Sequence, residues 1–199
     1  MMINGFSILH RIKKTQRGAT AVEFGLVSPA ILLLMFGVAE CSLMYFTQNL
    51  MENAAYNAAR MGKTGYLDPT ITDPNKAREK AIIDTINKYA GFYLDMTSVK
   101  LTSKVYKQFG DAGTGEPYID SNSNGVRDDG ENFTDLNNNK QYDSDVGTAG
   151  YGSEKDVVLY TIDYPWKIAT PILAKVIGAQ NDIVPLQARL VVRNEPYGL

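Results

Sequence analysis

Residues 17–40 read Arg-Gly-Ala-Thr-Ala-Val-Glu-Phe-Gly-Leu-Val-Ser-Pro-Ala-Ile-Leu-Leu-Leu-Met-Phe-Gly-Val-Ala-Glu. A glycine and a single carboxylate, Glu23, stand directly before an apolar helix. Placing a charged side chain in a membrane segment costs roughly 2.5–3.5 kcal/mol at the helix centre on insertion scales, and less near an end. Something must offset that cost. The stretch points to membrane insertion rather than to an active site.

Upstream, residues 1–18 carry Arg11, Lys13, Lys14 and Arg17 and no acid. Downstream, 24–39 is sixteen residues without a charge, about 24 Å of helix. A bilayer core of ~30 Å wants about 20 residues. Apolar character resumes at Cys41, Leu43, Met44, Tyr45 and Phe46, so the predicted span is roughly 25–46. Basic residues on the N-terminal flank predict a cytoplasmic N-terminus and an exported remainder. A cleaved secretory signal is the rival reading, but no Ala-x-Ala site follows Val38-Ala39. The helical pattern also continues through residues 48–63, with Ala54, Ala55, Ala58 and Ala59, until Gly62 and Gly65 supply a stop. One helix of about forty residues, half in lipid and half in water, fits better. Cys41 is the only cysteine, so an intrachain disulfide is excluded, and the expectation is a packed helix cysteine.

These residues resemble the TadE-like family, pilin-related proteins of bacterial tight-adherence (Tad) pili. The resemblance implies a short basic leader ending at Gly18, cleaved by a prepilin peptidase on the cytoplasmic side. Ala19 would be the new N-terminus, with Glu23 and Phe24 at the fifth and sixth mature positions. Pro29, the Ala-Ala-x-x-Ala-Ala-Arg run ending at Arg60, and the close Val191-Val192-Arg193-Asn194-Glu195-Pro196-Tyr197 also match. Implied partners are the prepilin peptidase, other pilins and pilus assembly proteins, and membrane lipid. Cleavage would put an α-amine one turn from Glu23, and in a fibre the carboxylate could pair with a neighbour's amine. On Glu23 alone, a side chain serving the helix N-terminal dipole fits as well. The implied place is the bacterial inner membrane, single-pass, with the C-terminal domain periplasmic or carried out in the pilus.

The exported part, 63–199, reads as α+β. Asp73-Pro74 looks like a capped helix start, and Ala81, Ile82, Ile86 and Tyr89 place a helix over 75–91. Two-residue periods predict strands from Ser98 to Val105, over 156–164 and over 186–193. A helix or helical turn is predicted over 166–177 despite Pro171. Elements segregate rather than alternate, which argues an antiparallel sheet. The long helix laid on a small sheet is the pilin plan.

Between the strands lies an acidic insertion, 110–153, poor in apolar residues and predicted to build no core. Within 111–145 nine acids face only Arg127 and Lys140. Asp120, Asn122, Asn124, Asp128 and Glu131, with the Val126 carbonyl and Gly125 at the turn, fit the twelve-residue calcium-loop spacing. A poorer copy has Asp135, Asn137, Asn139 and Asp143, with Lys140 replacing the glycine and Val146 at the twelfth place, where Asp145 could substitute. All these donors are hard oxygens, so the expected ion is Ca²⁺, bound weakly at ~10⁻⁴–10⁻³ M. A solvated acidic loop without an ion is the bland alternative.

No enzyme is expected: His10 is the only histidine, so no Ser/His/Asp or Cys/His set can form. Asp163 and Glu195 are read as strand-end and turn residues. Nucleic acid is not an expected partner, since no basic stripe with aromatics lies beyond the leader. The alternative to a processed pilin-like subunit is an unprocessed single-pass protein with a calcium-binding periplasmic domain, serving as adhesin or scaffold.

Overall fold

The computed structural model describes residues 18–177 and 179–196. The basic leader with His10, and Tyr197 of the closing segment, lie outside the described residues. Ala19–Lys63 is one α-helix, α1, of 45 residues, about 68 Å at the standard rise. Pro29 sits inside it; its missing N–H removes one hydrogen bond without ending the helix. Asn49, Asn53 and Asn57 recur every fourth residue, and each Nδ2 donates to the carbonyl one turn back at 2.8 Å. Residues that ordinarily compete with helix thus brace it. The stop comes at Gly65, whose φ of +68° and N–H to the Gly62 carbonyl close the last turn.

α2 spans Pro74–Ala90. Its N-cap works as the sequence suggests: the Asp73 carboxylate accepts from Asn75 N at 2.9 Å and Lys76 N at 3.2 Å, with Pro74 in the first turn. Four strands follow: β1 at Lys100–Tyr106, β2 at Thr148–Ala149, β3 at Val157–Lys167 and β4 at Ile183–Arg193. They form an antiparallel sheet in the order β2-β1-β3-β4. β1 meets β3 from Lys100 opposite Asp163 to Tyr106 opposite Val157, and meets β2 at Lys104 and Val105. This is the α+β architecture expected. The helix predicted over 166–177 is shorter: β3 runs on to Lys167, and α3 occupies Pro171–Val176. Pro171 opens that helix instead of interrupting it, because the first turn needs no proline N–H. Asp163 lies inside β3 rather than at its end, accepting from Gln187 Nε2 at 2.6 Å.

The chain forms two compact units, Met1–Met44 with Lys167–Ile183, and Tyr45–Trp166 with Val184–Leu199. In the larger unit, β3 is buried at every residue from Val157 to Ile162, so both faces of the sheet are covered. Val158, Tyr160 and Ile162 share one face. They are buried along with Ile82 and Ile86 of α2 and with Met51, Ala54, Ala55, Ala58 and Ala59 of α1. The alanines let α1 run close: a Cβ at Gly62 would land on the Tyr160 hydroxyl. On the other face Val157 and Leu159 join Tyr106, with Ala112 and Val146 packed against them. Both of those residues belong to the acidic insertion. It therefore roofs the second face, against the expectation that it builds no core; the strands supply most of the apolar surface, and the insertion needs only a few contacts.

Candidate functional site

Gly18 is exposed and precedes α1. A Cβ built on it would meet none of the described residues within 4 Å. Glu23 and Phe24 follow on the second turn, both exposed. From Val22 to Val38 large apolar side chains stand bare on α1, among them Phe24 (69 % exposed), Leu26 and Leu34. Among the described residues α1 is the one helix long and apolar enough to cross a membrane. Cys41 is exposed on this helix, which corrects the packed cysteine expected: it points off the bare surface rather than toward a partner element.

The two acidic loops are geometric copies. In the first, Asp120 accepts from Asn124 N and Gly125 N, Asn122 Oδ1 from Asn124 N, and Asn124 Oδ1 from Val126 N. Asn122 Nδ2 and Asn124 Nδ2 both donate to Asp128 at 2.7 Å. The second repeats this fifteen residues on. Asp135 accepts from Asn139 N and Lys140 N, Asn137 Oδ1 from Asn139 N, and Asn139 Oδ1 from Gln141 N. Asn137 Nδ2 and Asn139 Nδ2 donate to Asp143. Even the glycine position is imitated, since Lys140 takes a φ of +64° where Gly125 has +78°, a left-handed backbone a lysine adopts only under constraint.

The twelfth position is where the copies diverge in sequence and agree in space. Glu131, nearly buried, accepts from Ser121 N at 2.8 Å and Asp128 N at 3.0 Å. In the second loop the corresponding donors are Leu136 N and Asp143 N, and Glu116 accepts from both, at 2.6 and 3.1 Å. Glu116 is 2 % exposed. It comes nineteen residues before the loop it completes, so forward spacing had no means of finding it. Asp145, the substitute suggested by sequence, is engaged elsewhere: it accepts from Lys104 Nζ at 2.7 Å, Tyr106 Oη at 2.9 Å and Gly147 N at 2.9 Å. Burial raises the Asp145 carboxyl, but the Lys104, Gly147 and Tyr106 bonds outweigh it and hold the pKa below the ordinary value. For Tyr106 burial comes first and the Asp145 bond second, both upward.

Behind the loops, Tyr118 and Phe133 each stack edge-on to Tyr142, at 6.0 and 5.7 Å. Arg127 caps this cluster, 5.3 Å from Phe133 and 4.8 Å from Tyr142, filling with a cation–π contact the eighth position where an apolar side chain is usual. Burial, then Asp120, push the Tyr118 hydroxyl upward, as expected under a negative field. Each loop offers only oxygens, the chemistry of a hard cation. Those oxygens are spent on the loop's own N–H groups, however. Among the described residues no three His, Cys, Asp or Glu side chains gather as a metal-holding group.

The chain's close is tied to the end of α1. Asn194 is 2 % exposed, and its Nδ2 donates to the carbonyls of Tyr151 and Ser153. Arg78 Nη1 grips the same turn at Tyr151 O and Gly152 O. Glu195 N donates to Lys63 O at 3.0 Å, and its carboxylate pairs with Lys63 Nζ at 3.0 Å. That fixes Glu195 as a tie, more than the turn residue first read.

Compared with known families, residues 18–60 match the model of the TadE-like proteins. The match opens on Gly18 and ends on Arg60, leaving everything beyond the long helix outside it. No curated protein and no solved structure matches the chain.

Proposed function

We propose that this TadE-like chain is a pseudopilin or minor pilin of a Tad-type adhesion pilus, not an enzyme. It inserts once in the bacterial inner membrane, N-terminus cytoplasmic and sheet domain periplasmic, and is cut after Gly18 by a prepilin peptidase. It then acts in assembly of the fibre with other pilins, or enters it. The observation that carries this reading is the placement of Gly18: the first residue of the family match, five residues before Glu23 and the bare apolar stretch of α1, with no described residue packed where its Cβ would be. The test is the mass of the protein from native membranes. Maturation removes residues 1–18, and Gly18→Leu keeps them; an intact chain in the native host removes the proposal.

A second reading, Ca²⁺ binding by the acidic loops, is favoured by the repeated loop geometry. The ligands would be Asp120, Asn122, Asn124, Asp128, Glu131 and the Val126 carbonyl in one loop, and Asp135, Asn137, Asn139, Asp143 and Glu116 in the other. A calorimetric titration of the intact chain decides. Binding in the range of ~10⁻⁴–10⁻³ M is expected, and no heat at millimolar Ca²⁺ ends the reading.

A further inference from the structure

In the smaller unit, Lys167–Ile183 leaves the sheet and packs beside α1. Its contacts fall within the apolar stretch. A Cβ at Gly37 would stand 3.9 Å from Leu173 Cδ1. Glu40 is 4 % exposed and accepts from Ala169 N, at 3.2 Å to each oxygen, and from the Thr170 hydroxyl at 3.3 Å. On the outer side of the excursion Ile172 is 61 % exposed, Val176 73 % and Ile177 50 %, with Lys175 exposed among them and Gln180 and Asn181 exposed beyond. A segment made to face water would bury these and expose the carboxylate. This one does the reverse.

The span predicted for α1 ends near residue 46. Gly37 lies nine residues inside that end, about 14 Å of helix, within the outer half of a ~30 Å core. Backbone at that depth must find its partners inside the protein. Several of its amides do so: Ile168 N donates to Asp182 O, Ala174 N to Thr170 O, Ile177 N to Leu173 O and Ala179 N to Ala174 O, while Thr170 gives α3 no side-chain cap. Pro171 has no N–H to satisfy.

We propose that residues 168–177 form a re-entrant element whose Ile172, Val176 and Ile177 lie in the hydrocarbon of the outer leaflet, covering Glu40 with the Ala169 amide and Thr170 hydroxyl. Among the described residues α1 remains the one span. The inference rests on the reading of α1 as a membrane helix.

The test uses the full chain carrying Cys41→Ser, with one nitroxide-labelled cysteine at Ile172, Val176, Leu32 or Glu154. It is reconstituted in phosphatidylethanolamine–phosphatidylglycerol vesicles. Power saturation compares collision with oxygen and with a water-soluble nickel chelate. At 172 and 176 oxygen is expected to exceed nickel several-fold, as at the α1 position 32, with the reverse at 154. Nickel winning at 172 and 176 while 32 stays lipid-like overturns the re-entrant element and spares the membrane helix. Nickel winning at 32 as well removes both. Labels at 172 and 176 shielded from both reagents, with spin–spin broadening relieved by unlabelled chain, assign the face to a second copy and also overturn the proposal.

Discussion

At the scale of single residues, carboxylates do several different jobs. Asp145 is the clearest for pH. Its folded pKa is held below the unfolded value of about 3.9. Its stabilisation is therefore complete above that value and drains away as pH falls through the folded one. Asp145→Asn is expected to cost on the order of 1 kcal/mol at pH 7 and to flatten the acid limb of a melting-temperature profile between pH 5 and 2. The limb should not vanish, because Asp68 is lowered to about 2 by hydrogen bonds from Lys80 and Thr70. An unchanged acid profile would mean the Lys104–Asp145 contact has no thermodynamic consequence. Glu116 is different in kind. Glu116→Ala leaves two backbone N–H groups without an acceptor beneath the insertion, at about 1–3 kcal/mol each. Cleavage by added protease within 117–143 should then appear well before global unfolding, and Glu116→Gln, keeping one carbonyl oxygen, should lie between.

At the scale of elements, legibility followed periodicity. α1 could be read because apolar residues and then alanines recur without a break, and α2 because Asp73-Pro74 announces it. Asp73→Ala should cost about 1 kcal/mol, measured as a lower denaturation midpoint with the helical signal otherwise intact. The strands β1, β3 and β4 showed their two-residue alternation, whereas β2 is two residues long and has no period to show. β3 runs to Lys167, past the predicted end at residue 164, and the helix predicted from 166 starts only at Pro171. The two loops were visible as spacing, but the carboxylate completing the second lies upstream of it, and its role exists only in three dimensions. The roof over the sheet was hidden too, since Ala112 and Val146 are too sparse to stand out among the surrounding Gly, Asn and Asp.

For the whole molecule, the decisive question is how a chain with a bare apolar half and a folded half assembles. If Glu23 serves register between subunits, Glu23→Ala should still insert and still lose residues 1–18, yet form no fibre in pilus-shearing assays. Normal fibre yield would return Glu23 to the role of serving the helix dipole. The match to residues 18–60 covers the part whose pattern was most readable. The sheet domain lies outside that match.

One consequence follows from the order in which the insertion closes. The Tyr118–Phe133 bridge, with Ile119 N to Asn132 O and Thr134 N to Pro117 O, zips the first loop, inside the wider circuit that Glu116 N to Asp143 O and Val146 N to Thr114 O complete. The first loop, with its own Glu131, stands on a two-pronged stem; the second is the setting beneath it, touched by Arg127 over Tyr142. A foreign epitope spliced between Tyr118 and Phe133 would ride on the finished domain, whereas the same graft between Asp135 and Asp143 would pull away the amides that keep Glu116 underground.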